Sequence, residues 1–290
     1  MPQTIQIDVG GAPLSLTGGH EIYLDGLRHT DWHNHKLLGA ARTLSEEFTY
    51  IDVGANIGAT AIAIAVLFPK ATIFAFEPVP ANVVHPRQNI QANGVQNCHV
   101  IASAVGDVPS SVNITDNGPW SAVLPNAPGV QVPVVSLDRF CRETWAKKKI
   151  DLIKIDVEGY EPRVLRGAIE TLREMRPLLV MEFNSWTLIE QEESPIQFAK
   201  MLFENFDVHG EETRYVDEPD RFVHDNIVHR GCIDDLVMQP KTGRPHRGAF
   251  TSEIERLRVE IEAMRASTSW WLTAPLRAVK TGMLKRKHRS

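Results

Sequence analysis

The sequence predicts an α/β fold: a doubly wound, mostly parallel sheet with helices on both faces, followed by a helical C-terminal extension. Two observations carry that prediction. From residue 48 to residue 205, short apolar runs alternate with helical stretches, the order that parallel strands joined by crossover helices require. The runs are continuously apolar rather than alternating, as strands covered on both faces must be.

Residues 1–47 read as strands and a helix flanking the core. Alternating stretches at 4–7 and 21–24, split by Gly-Gly pairs, predict small strands or a hairpin, and 37–47 predicts a helix. The core domain is expected over 48–237. Strand 48–53 leads into a buried helix over 59–68 that Pro69 stops, and strand 71–76 follows. A helix around 83–93 contains Pro86, which marks a first turn or a kink. Strands at 98–105, 150–156 and 178–183 and helices at 164–173 and 196–205 complete the alternation. Residues 109–133, rich in Pro, Gly, Asn and Ser, fit an extra hairpin or a mobile loop beside a site. Residues 238–250 contain two prolines, two glycines and four basic residues and read as a linker. In 251–290, Ile254, Leu257, Ile261 and Met264 recur at helical spacing with charges between them, and a basic tail ends the stretch.

Composition narrows the function classes. At 290 residues, 43% hydrophobic and 23% charged, the chain is an ordinary globular protein, not a disordered or repetitive one. Its longest apolar run covers the eight residues 61–68, far short of the roughly 20 needed to cross a bilayer. No secretory leader is expected from the opening MPQTIQIDVGG. Cys98, Cys141 and Cys232 are widely spaced, which suits a reducing, cytoplasmic setting. Net charge is −5, yet residues 276–290 hold six basic residues and no acid, so the other 275 carry −11. An acidic body gives no reason to expect nucleic acid as a partner.

Three segments carry chemistry. The first strand ends in Asp52-Val53-Gly54-Ala55-Asn56-Ile57-Gly58 and a helix follows directly. Gly54 and Gly58 allow a tight turn and close approach of a ligand, although purely structural turns look the same. Glu77, just past the second strand and 25 residues after Asp52, stands where an acid can accept both hydroxyls of a ribose. The missing G-x-G-x-x-G spacing disfavours a pyrophosphate and suits a phosphate-free adenosine. Asp156 and Glu158 emerge from the fourth strand on one face, ahead of Glu161-Pro162, and clustered acids there need a cation or hydrogen-bond donors. The histidines add less: His33-Asn34-His35 reads as a surface loop, and His209, His224 and His229 as weak candidates for a base.

Together these motifs resemble a known family. Tyr50 to Gly58, Phe76-Glu77-Pro78, Ala104-Val105-Gly106-Asp107, Ser136-Leu137-Asp138, Lys154 to Glu161 and Met181-Glu182-Phe183 occur in the order of the FkbM family of S-adenosylmethionine-dependent methyltransferases, over about residues 48–205. The resemblance implies a Rossmann-like class I methyltransferase fold. It also implies that Asp52, Gly54, Asn56 and Gly58 cradle the methionine moiety of S-adenosylmethionine and that Glu77 holds the ribose. Ser103 or Asp107 would lie near the adenine, and Asp156 would border the methyl-transfer site.

The expected reaction is O-methylation, with Asp156, Glu158 and Glu182 as catalytic acids or bases. Asp156, Glu182 and Asn184 at neighbouring strand ends offer oxygen ligands for Mg2+ or another hard divalent cation. Residues 267–277 resemble a short S-x-S-W-x-(I/L)-T-x-P-L-R segment attached to bacterial glycosyltransferases and methyltransferases of cell-surface polysaccharide synthesis, with Trp271 where that segment usually has Arg or Lys. That likeness implies a sugar hydroxyl on a glycan or its precursor as acceptor. It also implies a contact of residues 250–290 with the inner membrane face or a glycosyltransferase complex. A homo-oligomer is compatible with the sequence. Two rivals stay open: a non-catalytic scaffold that keeps the fold, and an NAD-dependent dehydrogenase or epimerase.

Overall fold

A computed structural model of the protein describes residues 2–107, 110–115, 118–123, 129–146 and 148–243. The chain opens with an antiparallel hairpin of β1 (Gln3–Val9) and β2 (Ala12–Gly18) that turns at Gly10-Gly11. Residues 21–24, expected as a strand, instead begin α1 (Glu21–His29). Tyr23, Leu24 and Leu27 fall on one helical face against the core, so the period that decided the structure extended past the four residues that looked alternating. The helix expected over 37–47 is only α2 (Lys36–Ala41), because the chain turns off where the Thr43 hydroxyl donates to the Ala40 carbonyl.

The core follows as β3 (Thr49–Val53), α3 (Ala59–Leu67), β4 (Thr72–Phe76), α4 (Pro80–Ala92) and β5 (Cys98–Ile101). Pro86 lies inside α4, not at a terminus. The strand expected over 98–105 breaks at Ser103, and β6 (Ala104–Val105) joins β7 (Ser110–Ile114) and β8 (Val130–Val135) in a separate sheet of order β6-β8-β7. Of the two readings of 109–133, the hairpin is therefore the one the described residues form.

After α5 (Leu137–Glu143) and β9 (Leu152–Ile155) come α6 (Glu161–Arg166) and α7 (Ile169–Met175), two helices where one was expected. The break is stabilised from α5: the Asp138 amide donates to the Gly167 carbonyl at 2.9 Å, and the Asp138 carboxylate accepts from the Glu170 and Thr171 amides that open α7. Next are β10 (Leu178–Asn184), α8 (Ser185–Glu190), α9 (Pro195–Asn205), β11 (Phe206–His209), α10 (Pro219–His229) and β12 (Ile233–Pro240). Since β12 runs to Pro240, residues 238–240 belong to the sheet and not to a linker. Residues 251–290, with the expected amphipathic helix and basic tail, lie outside the described residues.

The main sheet has seven strands in the order β11-β12-β10-β9-β3-β4-β5, all parallel except β12, which runs antiparallel to both neighbours. From β3 the chain moves outward through β4 and β5, then returns to build β9 and β10 on the other side, so a topological switch point lies between β3 and β9.

The two faces of this sheet bury different cores. Ile51, Val53, Phe76, Ile153 and Met181 pack with α5, α6, α9 and α10. Tyr50, Ile73, Leu152 and Val180 pack with the hairpin, α1, α2 and α3. Side chains alternate along a strand, so Asp52, Lys154 and Glu182 share the second face with Tyr50, Leu152 and Val180. The chemistry-bearing residues thus project toward the side that residues 1–47 cover.

Candidate active site

A cleft of about 380 Å³ opens at the carboxyl ends of β3, β4, β9 and β10, at the switch point. Its base is an ion-paired row. Asp52 on β3 and Lys154 on β9 are register partners. The Lys154 ammonium lies 3.7 Å from Asp52 Oδ1 and 3.0 Å from Asp156 Oδ2. Burial alone would lower the Lys154 pKa, but the Asp156 and Asp52 carboxylates hold it above the usual range. Asp52 itself is fully buried, accepts from the Thr60 hydroxyl at 2.7 Å and does not line the cleft.

The glycine corner works differently from the expectation. Gly54 has φ +84°, and a Cβ there would stand 1.8 Å from the Asp156 carbonyl oxygen. Gly58 has φ +83°, and its Cβ would stand 2.9 Å from Cβ of Pro86. Both glycines let protein approach protein: Gly54 seats the β3 loop against the β9 loop, and Gly58 seats the start of α3 on α4. Gly54 also lines the cleft, whereas Gly58 does not. Asn56 lines it with φ +51° and a buried Oδ1 that has no partner.

Glu77 holds this corner together. Its Oε2 accepts from the Asn56 amide at 2.8 Å, and its Oε1 from the Val79 amide at 2.9 Å and the Asn82 side chain at 3.4 Å. Burial raises its pKa to about 7 against the pull of those donors. A carboxylate has about four acceptor sites, so with three donors in place Oε2 can still accept one ligand hydroxyl. Ser103 lines the cleft with its hydroxyl bonded to the carbonyls of Ala104 and Pro133. Asp107 does not line it; it accepts from Arg166 at 3.1 Å and faces Arg163 at 4.0 Å. Those two arginines lie on α6 one turn apart, which explains why an acid past β6 became a structural partner.

Asp156, Glu158 and Glu182 do meet at the cleft. Burial, then Asp156 and Glu190, raise Glu158 to about 7. Burial, then Asp156, Glu161 and Glu158, raise Glu182 to about 9, and its Oε2 is buried with no partner. Glu161 stays outside the cleft and closes the loop, accepting from the Val157 and Gly159 amides.

The predicted metal site is not assembled. Asn184 caps α8, its Oδ1 accepting from the Trp186 and Thr187 amides, and it does not line the cleft. Asp156 already has the Lys154 ammonium beside it. Among the described residues, the group of three His, Cys, Asp or Glu whose ligand atoms lie within 4.8 Å of one another is the surface set His224, Asp225 and His229. Of the three predicted ligands, Asn184 is thus committed to a helix cap and Asp156 to an ammonium.

Sequence reasoning missed Lys154, Tyr23, Trp32, His35 and Asp235, all of which line the cleft. A lysine inside the apolar run 150–155 was a usable signal, because a buried charge must have a partner. Tyr23 and Trp32 carried no motif, and His35 belongs to the H-x-H that reads as a surface loop. His33 and His209 do not line the cleft, and neither do His224 and His229; His35 does.

The fold and the cleft define a Rossmann-like protein with an acidic ligand site. Residues 52–215 match the methyltransferase FkbM domain, more than half of the chain, and the chain belongs to that family. It is 28% identical to Methyltransferase 1 of Beauveria bassiana, over 40% of this chain and 57% of that protein. It is 27% identical to the 2-O-methyltransferase NoeI of Sinorhizobium fredii, over 48% of this chain and 65% of that protein. The matches thus span less than two thirds of either relative. Among solved structures, the methyltransferase FkbM of Methylobacillus flagellatus KT is 17% identical with a TM-score of 0.41, over 68% of this chain and 44% of that one.

Proposed function

We propose that the chain is an S-adenosylmethionine-dependent O-methyltransferase acting on a sugar hydroxyl of a glycan or glycan precursor. The observation that carries this reading is the electrostatics of the cleft. Glu77, Asp156, Glu158, Glu182 and Asp235 line it, and Lys154 is the sole Lys or Arg among its described lining residues. Such a site attracts a cation and repels a pyrophosphate, which counts against a nicotinamide cofactor. S-adenosylmethionine carries a sulfonium and an ammonium, and the unpartnered oxygens of Asn56 and Glu182 are acceptors of the kind it needs. A scaffold role requires neither the unpartnered oxygens nor the acids. Family membership, and the likeness to a 2-O-methyltransferase, support methyl transfer to oxygen.

When bound, the cofactor supplies an electrophilic methyl group. Asn56 and Asp156 would hold the methionine end, Glu77 the ribose and Ser103 the adenine side. The remaining work is to align an acceptor hydroxyl and take its proton. Glu182 suits that role. Protonated at neutral pH while the cleft is empty, it is pulled toward ionisation when a cation enters. The acceptor hydroxyl would give its proton to the Glu182 carboxylate, with Glu158 alongside, as its oxygen takes up the methyl group the cofactor would supply.

No helix among the described residues is long and apolar enough to cross a membrane. The tail's sequence supports a cytoplasmic enzyme that touches the inner membrane face or a glycosyltransferase complex through residues 250–290. Calorimetric titration with S-adenosylmethionine, S-adenosylhomocysteine and NAD tests the cofactor, and methyl-labelled cofactor with a glycan extract tests the acceptor. Binding of the first two and label in a glycan are expected. Binding of NAD alone, or label in none of the glycans, would overturn the reading.

A further inference from the structure

The cleft has a wall that the family domain does not supply. Tyr23, Trp32 and His35 come from before residue 52, and Ile233 and Asp235 from after residue 215, yet all five line the same cleft as Asp156 and Glu182. We infer that this wall recognises the methyl acceptor and admits only an uncharged, hydroxyl-bearing group, excluding phosphate, sulfate and carboxylate beside the reacting oxygen. The inference rests on the methyl-transfer reading and narrows its acceptor class.

Geometry assigns the wall to the acceptor side. The loops after β3 and β4, with Ser103, form the side that would hold the cofactor. Asp235 pairs with Glu182 on β10, and His35 feels the Asp235 and Lys154 charges, so this part of the wall stands over β9, β10 and β12. Tyr23 reaches across to border Asn56. Asp235 and Glu182 are direct register partners on antiparallel strands, so their side chains share one face of the sheet. Two carboxyl groups placed opposite each other on paired strands gain nothing for folding, and a site for hydroxyl donors gives them a use. Across from them, Trp32 is anchored by its indole N–H, which donates to the Leu27 carbonyl at 3.1 Å. The His35 ring stacks on Trp32 at 5.2 Å and 12°. His35 Nδ1 accepts from the Leu37 amide at the start of α2, so the ring proton sits on Nε2. Burial lowers the pKa of that ring, with the Asp235 carboxylate opposing the shift and the Lys154 charge adding to it. The wall therefore offers two neutral donors, His35 Nε2 and the Tyr23 hydroxyl, and the Asp235 carboxylate as acceptor, facing Glu182.

The charge inventory makes the selection. An anionic group on the acceptor would enter among Asp156, Glu158, Glu182 and Asp235. The single ammonium among the described lining residues, Lys154, is already held between Asp52 and Asp156. Among the described lining residues no further Lys or Arg remains to neutralise a phosphate or a uronate, and Lys36, at the Asp235 carbonyl, is paired with Glu212. Neutral hydroxyls, which both donate and accept, match every group on the wall.

The test uses the full chain with S-adenosylhomocysteine present, on an array that pairs each neutral glycan with its uronic-acid, sulfated and phosphorylated counterparts. Calorimetry then gives the Kd for S-adenosylhomocysteine and for the best neutral glycan. Neutral glycans should bind at least about tenfold more tightly than their anionic pairs. Asp235→Asn and His35→Gln should weaken the neutral glycan about tenfold while leaving the S-adenosylhomocysteine Kd within about twofold, with circular dichroism confirming the fold. Asp235→Lys should narrow the gap between neutral and anionic members. Equal binding of neutral and anionic glycans, retention of no neutral glycan, or variants that weaken cofactor and glycan alike would overturn the wall. A wild-type protein that binds no S-adenosylhomocysteine points to failure of the underlying reading, which removes this one with it.

Discussion

Asp52 and Lys154 stand side by side on β3 and β9, their side chains 0% and 12% exposed and their charged atoms 3.7 Å apart. Neither is independent of the other. Lys154→Met would leave the Asp52 carboxylate buried with the Thr60 hydroxyl as its remaining close donor. Breaking a buried pair this way costs about 3–5 kcal/mol. Urea denaturation should show that loss, and adding Asp52→Asn should restore part of it. A Lys154→Met protein as stable as wild type would contradict the pairing.

Glu182 makes stability fall as pH rises. Its carboxyl moves from the ordinary 4.5 to about 9 in the folded chain. Below the lower value it is protonated in both states, so its contribution to stability is then fully present. Between the two values the unfolded chain releases the proton more readily, and stability declines toward about pH 9. Glu182→Gln removes that slope. Its melting temperature should exceed that of wild type at about pH 8.5 by several degrees and match it at about pH 5. Parallel pH profiles for the two proteins would count against a buried, destabilised carboxylate.

The same carboxyl links cofactor binding to protons. Titrated with S-adenosylmethionine near neutral pH, wild type should release protons, read as a binding heat that varies with the ionisation heat of the buffer. Glu182→Gln should bind with less release. Equal release from both would place the proton elsewhere.

Gly54→Ala should fail as a folding variant rather than as a binding variant. The added methyl would lie 1.8 Å from the Asp156 carbonyl oxygen, at a backbone angle of +84° that side chains rarely adopt. A loss of about 3 kcal/mol or more follows from clash and strain together. A soluble, stable Gly54→Ala protein with weakened cofactor binding alone would show that the glycine serves the ligand.

Chelation should not touch activity. An ammonium, not a donor triad, sits among the acids, and Asn184 is committed to α8. Treatment with EDTA should leave the rate of methyl transfer unchanged, while Asn184→Ala should cost about 1 kcal/mol of stability as a lost helix cap. Activity that disappears with EDTA and returns with Mg2+ would reverse this assignment.

How far the sequence could be read depended on where the physics was local. The strand-helix alternation and the acids at strand ends followed from period and burial, and Asp156, Glu158, Glu182, Glu77 and Asn56 all line the cleft. Roles were harder. Whether Asn184 binds a cation or caps a helix depends on where α8 begins, and whether Asp107 meets a ligand depends on Arg163 and Arg166, more than 50 residues away along the chain. Likewise β12 stayed hidden because its alternation is interrupted by Asp234, a buried acid whose partners Asn226 and Arg230 come from α10 and the turn after it. Tyr23, Trp32 and His35 reach the cleft only through the packing of residues 1–47 on one face of the sheet.

Asp234 and Asp235 are neighbours with opposite duties: the first faces inward to Asn226 and Arg230, and the second pairs across to Glu182. A slip of one position in β12 would exchange them, exposing the anchoring acid and burying the other without partners. The three-residue bend at 230–232 fixes that alignment. Insertions and deletions in surface bends are ordinarily among the cheapest changes a lineage can accumulate. Here that freedom is closed, and the span between α10 and β12 is as strict a specification as any residue it positions.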